Sequence, residues 1–127
     1  MVDKNIKILV VDDFPTMRRI VRNLLKELEF VNVDEAEDGA AGLEKVKAGN
    51  YGFVVSDWNM PNMDGLTMAE KIRTELGNKA VRIVMLTTED NPAMRERAKA
   101  LGVNGWIVKP FRGDAVLGPF RKICGMG

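Results

Sequence analysis

Four short apolar runs in this sequence each end in a residue type that can do chemistry. The first ends in Asp12-Asp13, another in Asp57, a third in Thr87-Thr88-Glu89 and the last in Lys109-Pro110-Phe111. A carboxylate can serve as a covalent nucleophile. Carboxylate and carbonyl oxygens without imidazole or thiol nearby form a hard ligand set, which favours Mg²⁺ over zinc. If Asp12, Asp13 and Asp57 converge, they repel. At ~4 Å and an effective dielectric near 20, each pair costs about 4 kcal/mol before screening. The Lys109 ammonium supplies one compensating charge, and a divalent cation supplies two. Taken singly, each residue has a bland reading: Asp12-Asp13 as a turn or helix cap, Asp57 as a surface turn, Thr87 as a strand former, Lys109 as a solvated charge. Taken together at the ends of strands, they describe a site.

The elements that must position them alternate in kind. Ile6–Val11, Val33–Ala36, Phe53–Ser56, Val81–Thr87 and Gly105–Val108 are short apolar runs rich in β-branched residues. Their continuous apolarity suits strands covered on both faces, as in a parallel sheet; Val33–Ala36 is the weakest of them. Between the runs the spacing turns helical. Phe14, Met17, Ile20, Val21, Leu24, Leu25 and Leu28 share one helix face, with Pro15 suited to the first helical position. Asp38 is placed to cap a second helix through Val46 that Gly49 closes. Leu66, Ala69, Ile72 and Leu76 mark a third, stopped near Gly77. Asn91-Pro92 opens a fourth, carrying Met94, Ala98 and Leu101 inward and ending at Gly102. A fifth around Asp114–Cys124 carries Gly118-Pro119 in its middle, where a proline costs about 3 kcal/mol. The pattern predicts an α/β fold, a doubly wound five-stranded parallel sheet of (βα)5 type. Open sheets of this kind bind ligands beyond the carboxyl ends of their strands, which is where the acids, the hydroxyl and the amine fall.

Composition narrows the function classes. The chain has 127 residues, 46% hydrophobic and 29% charged, which predicts one globular domain over residues 1–127 with no output domain. Lys plus Arg (19) against Asp plus Glu (18) leaves +1, too little for a dedicated nucleic-acid binder. Histidine is absent, which excludes histidine triads and histidine zinc sites. The single cysteine, Cys124, has no internal partner and fits a reducing compartment. No apolar run reaches the ~18 residues of a membrane helix. A cytoplasmic, non-membrane monomer is expected. The i, i+4 row Arg18, Arg22, Lys26 reads as a solvated helix face, as do Arg95, Arg97 and Lys99.

The segments Leu9-Val10-Val11-Asp12-Asp13, Ser56-Asp57-Trp58-Asn59-Met60-Pro61-Asn62-Met63-Asp64-Gly65 and Val108-Lys109-Pro110-Phe111 resemble the receiver domains of two-component response regulators. Asp12-Asp13-Phe14 with Thr16-Met17-Arg18-Arg19-Ile20, and Asp57-Trp58-Asn59, resemble the chemotaxis type among them. The resemblance implies a flavodoxin-like sheet of order 2-1-3-4-5. It implies Asp57 as phosphoacceptor, and Asp13, Asp57 and the Asn59 backbone carbonyl as Mg²⁺ ligands, with Asp12 acting mainly through a metal-bound water. It implies that Lys109 contacts the acyl phosphate, that Thr87 hydrogen-bonds it, that Trp106 is the aromatic switch residue and that Lys109-Pro110 is cis. A partner histidine kinase is the implied donor. The implied partners are a flagellar motor switch protein, which like the kinase uses the face of helix four, strand five and helix five, and a phosphatase. Asn59 and Glu89, flanking the path of an attacking water, are expected to tune the phosphate lifetime.

The expected protein is thus a phosphoacceptor signalling switch and not an enzyme acting on other substrates. Three alternatives have discriminating features. An aspartate-nucleophile phosphatase would want a second acid two positions after Asp57, where Asn59 stands. A flavin binder would want a hydroxyl- and glycine-rich phosphate loop where Asp12-Asp13 stands. An engineered or chimeric receiver domain would alter the partner face, where Gly118-Pro119 interrupts helix five.

Overall fold

The computed structural model describes residues 5–58, 60, 62–87 and 91–108. Within them the elements run β1 (Lys7–Val11), α1 (Pro15–Glu27), β2 (Asn32–Ala36), α2 (Gly39–Ala48), β3 (Phe53–Asp57), α3 (Gly65–Thr74), β4 (Arg82–Thr87), α4 (Pro92–Ala100) and β5 (Gly105–Val108). The strands form one parallel sheet in the order β2-β1-β3-β4-β5, as expected. The predicted fifth helix, Gly118-Pro119, Cys124 and the Lys109-Pro110 bond lie outside the described residues.

Burial follows the strands' apolarity. Every residue of β3 is buried, and β1 and β4 are buried apart from their first residues. Such strands can only lie inside a sheet covered on both faces. One face packs Val21, Leu24 and Leu25 of α1 on Ile8, Val10, Phe53, Val55, Val84, Leu86 and Ile107. The other packs α2, α3 and α4, through residues such as Val46, Met68, Ile72 and Ala98, on Leu9, Val11, Val54, Ile83 and Met85. The edge strand β2 is only alternately covered, which is why its sequence signal is the faintest. Among the described residues, no helix is long and apolar enough to cross a membrane.

Local chemistry sets the helix starts. Asp38 accepts a hydrogen bond from the Ala41 N–H (2.8 Å), Asp64 from Thr67 (2.7 Å) and Asn91 from Ala93 (2.9 Å), each satisfying a donor the first turn leaves open. α1 has no side-chain cap and relies on Pro15, whose missing N–H removes one such donor.

Three sequence expectations are corrected. Phe14 and Ile20 are exposed, at 63% and 41%. Phe14 is the extended residue before α1, outside the helical register, and Ile20 lies on the margin of the buried Val21–Leu24–Leu25 stripe. Ile6 and Val81 fall outside their strands, whereas β3 runs one residue further, to Asp57. The third helix ends at Thr74 instead of near Gly77, and Gly77 takes a left-handed turn conformation (φ +62°).

Candidate functional site

Parallel pairing sets where the acids meet. β1 and β3 are neighbours, with Val11 opposite Ser56, so Asp12 follows β1 beside the point where Asp57 ends β3. β4 lies on the far side of β3, with Leu86 opposite Asp57, and Thr87 is its last residue. The carboxylates of Asp12, Asp13 and Asp57 each place an oxygen within 4.8 Å of the others. Asp12 and Asp57 are buried, as is Thr87 at the end of the adjacent strand. The sequence expectation that these acids converge is therefore met in the fold.

Each acid is held differently. The Asp12 Oδ1 accepts from the Phe14 N–H (2.9 Å), turning the chain from β1 into α1. The Asp57 Oδ1 accepts from the Trp58 N–H (2.8 Å). Asp13 Oδ1 is buried and has no hydrogen-bond partner. A buried carboxylate oxygen without a donor is costly, and two further carboxylates alongside increase the cost. The donor set is oxygen only, of high negative charge. Mg²⁺ is held by one or two carboxylates while keeping several waters. The residues present thus fit a hard divalent cation, with Asp13 Oδ1 as the ligand atom left open.

The main chain at Asp57 is fixed from the other side. The Ser56 hydroxyl donates to the Asp57 carbonyl oxygen (2.7 Å), and Gly65 N–H donates to the Trp58 carbonyl (2.9 Å). A Cβ at Gly65 would collide with the Asp57 carbonyl oxygen and come within 2.9 Å of Met85 Sδ. Only glycine lets the start of α3 approach the Asp57 backbone this closely. The turn between them is tied to α2. Asn62, itself left-handed (φ +68°), donates its amide to Asp38 Oδ2 (2.8 Å), and Gly39 N–H donates to the Met63 carbonyl (3.1 Å). The Ala41 N–H and then the Asn62 amide hold the Asp38 carboxyl below the usual aspartate range, outweighing its burial.

Trp106 stands on β5 opposite Met85, and its ring lies 6.4 Å from that of Trp58, tilted by 51°. Both rings are half-buried against the core on the α2–α3–α4 side. Asn59, Glu89 and Lys109 lie outside the described residues.

Sequence reasoning missed two parts of this site. Gly65 gives its signal only in space, as a glycine at the first turn of a helix that a strand end abuts. Arg18, read as part of a solvated row, is largely covered: Nη1 donates to the Asp12 carbonyl (2.6 Å) and Nε to Glu35 Oε1 (3.0 Å), while Arg22 Nη1 takes Glu35 Oε2 (2.7 Å). Burial alone would raise the Glu35 carboxyl, but the hydrogen bonds and charges of Arg22 and Arg18 outweigh it and hold it below the ordinary range. Bonds spanning 17 and 13 residues leave no trace in helical spacing.

Comparison with known proteins agrees with this geometry. Residues 8–118 match the family described as response regulator receiver domain. The chemotaxis protein CheY-3 of Vibrio cholerae is 49% identical over 123 residues, 97% of this chain and 95% of that protein. Chemotaxis protein CheY of Pseudomonas aeruginosa is 43% identical over 117 residues, 92% and 94% of the two chains. Among solved structures, the CheX–CheY–BeF₃–Mg²⁺ complex of Borrelia burgdorferi matches with a TM-score of 0.87 at 26% identity, covering 93% of this chain and 88% of that one. With its sheet order, its acidic strand ends and relatives of matching length, the chain belongs to the response regulator receiver domain family and is of the chemotaxis type.

Proposed function

We propose that the protein is a phosphorylation switch: a phosphohistidine on a partner kinase donates its phosphoryl group to Asp57, and the modified domain signals by binding another protein. The observation that carries this reading is the trio Asp12, Asp13 and Asp57 within 4.8 Å, with Asp13 Oδ1 buried and unpartnered. The Mg²⁺ complex of the Borrelia relative supports the assignment of that cation to the site. Asp13, Asp57 and the Asn59 backbone carbonyl would hold it, with Asp12 acting through a bound water. When bound, the ion neutralises charge on the phosphoryl oxygens and orients them for in-line displacement.

The chain's own residues do the rest. An oxygen of the Asp57 carboxylate attacks phosphorus; an O–P bond forms as the N–P bond breaks, and the departing imidazole takes up a proton. These 127 residues contain no histidine, so the phosphohistidine donor is not among them. The Trp58 N–H and the close approach of Gly65 fix the carboxylate and its backbone for that attack. Lys109 is assigned to the acyl phosphate oxygens, and Thr87 to a hydrogen bond with one of them. Drawing Thr87 inward frees space on the face it shares with Trp106, and the indole turns to fill it, changing the surface a partner meets. A flagellar motor switch protein is the proposed target, and a phosphatase and the slow attack of water on phosphorus the proposed resets. Asn59 and Glu89 are the residues proposed to tune the rate of that attack. The chain is proposed to act in the cytoplasm as a monomer.

The test is direct. Incubation with acetyl phosphate and MgCl₂ is expected to add one phosphoryl mass, stable to acid and lost to hydroxylamine. Asp57→Asn is expected to abolish it. A mass gain that survives in Asp57→Asn, or none in the parent protein, contradicts the proposal.

A further inference from the structure

Arg18 is the one cation whose side chain reaches the backbone of the acidic pair among the described residues. Its Nη1 donates to the Asp12 carbonyl at 2.6 Å. That carbonyl belongs to the peptide joining Asp12 to Asp13, so the bond fixes the plane from which Asp13 projects. Asp13 Oδ1 has no hydrogen bond of its own. The aim of that oxygen is therefore inherited from the backbone instead of being set at the side chain.

The guanidinium is braced as well as placed. Nε meets Glu35 Oε1 at 3.0 Å, and Glu35 is in turn held by Arg22 at 2.7 Å and, through its carbonyl, by the Lys45 ammonium. The Arg18 side chain is 18% exposed against 49% for Arg22, so Arg18 is the packed member and Arg22 the outer one. A planar fork with several fixed donors holds two acceptors at once, which a lysine cannot reproduce.

We infer that Arg18 is a positioning residue of the cation site: through the Asp12 carbonyl, with Glu35 as its brace, it sets the direction of Asp13 and hence the affinity of the site for a divalent cation. The inference rests on the Mg²⁺ reading of the acidic cluster. It differs in sign from a simple charge effect. Removing a cation beside an anionic site makes the site more negative and tightens Mg²⁺, whereas loss of positioning loosens it.

The experiment is calorimetric titration of the full chain with MgCl₂, comparing the parent with Arg18→Met, Arg18→Lys and Glu35→Ala, with helical content checked by circular dichroism. Arg18→Met is expected to raise the Mg²⁺ Kd about tenfold, the lower end for outer partners of metal ligands. Arg18→Lys is expected to recover part of the loss, and Glu35→Ala to shift Kd in the same direction by less. Labelling by acetyl phosphate is expected to need more Mg²⁺ for half-saturation in Arg18→Met, yet to reach a rate near the parent's at saturation. An unchanged or lower Kd in folded Arg18→Met overturns the inference and leaves the phosphoacceptor reading standing. If Arg18→Met does not fold, an unchanged Kd in Glu35→Ala overturns it. No Mg²⁺ binding by the parent removes both.

Discussion

The two edges of the sheet are built on opposite principles. At the amino edge, charges and hydrogen bonds complement one another. Arg73, at the end of α3, donates to the Gly102 carbonyl through Nε (3.2 Å) and Nη2 (2.8 Å), to the Asn78 carbonyl (3.0 Å) and to Asn104 Oδ1 (3.1 Å). Asn104 Oδ1 also accepts from Ile83 N–H (2.8 Å), closing α3, α4, β4 and β5 around one guanidinium. Nearby, Tyr51 donates to Asp34 (2.6 Å) and carries Lys7 over its ring at 4.7 Å. At the carboxyl edge, three acids share a space that leaves one buried oxygen unpartnered. The first edge is complete as folded. The second is left incomplete in a way that a ligand can finish, which is how a binding site departs from a structural one.

Substitutions at the two edges should separate these roles. The largest effect is expected for Gly65→Ala, whose Cβ cannot be placed without moving the Asp57 backbone. Overpacking of this kind costs about 3 kcal/mol at the upper end of its usual range. Denaturant unfolding should show that loss, and acetyl phosphate labelling of Asp57 should slow with it. Arg73→Met comes next: it strands the carbonyls of Gly102 and Asn78 and is expected to cost about 2 kcal/mol. Labelling of Asp57 should be unaffected, because the clasp lies at the opposite edge. Equal loss of labelling in both variants would erase the distinction between the edges.

A smaller effect tests the amino edge alone. Burial first, then the hydrogen bond and charge of Asp34, push the Tyr51 phenol up to about 12. Because the folded value lies above the unfolded value of about 10, the stabilisation is complete below that lower value. It is lost as pH rises from there through the folded value. Tyr51 is the chain's single tyrosine, so ultraviolet absorbance reads it without overlap from another phenol. Phenolate should appear only near pH 12 in the folded protein, and earlier in Asp34→Asn.

Much of this was legible in the sequence, and what was not has a physical reason. Strands β1, β3 and β4 could be read because covering on both faces demands unbroken apolar runs, and the helix starts at Asp38 and Asn91 because capping is local. The acids could be placed because each follows its strand directly, so parallel pairing alone brings them together. β2 was faint because Asn32 and Asp34 of this edge strand face solvent. Arg18 and Gly65 were missed because their partners are distant in the chain: a row of cations and a helix-start glycine look the same whether or not a glutamate or a strand end lies opposite. The roles expected for Lys109 and the Asn59 carbonyl come from the family resemblance, and the lifetime roles of Asn59 and Glu89 from the in-line approach that an attacking water needs.

In the proposed switch, Asp12, Asp13 and Asp57 are held against their own repulsion so as to share one hard cation. Thermal unfolding of the parent and Asp13→Asn, each with EDTA and with MgCl₂, tests it most directly. With EDTA, Asp13→Asn should be the more stable by about 1 kcal/mol, the scale of a partly screened like-charge contact. With MgCl₂ the parent should rise past it while the variant gains little. A parent that is indifferent to MgCl₂, or a variant that gains as much as the parent, would contradict the account.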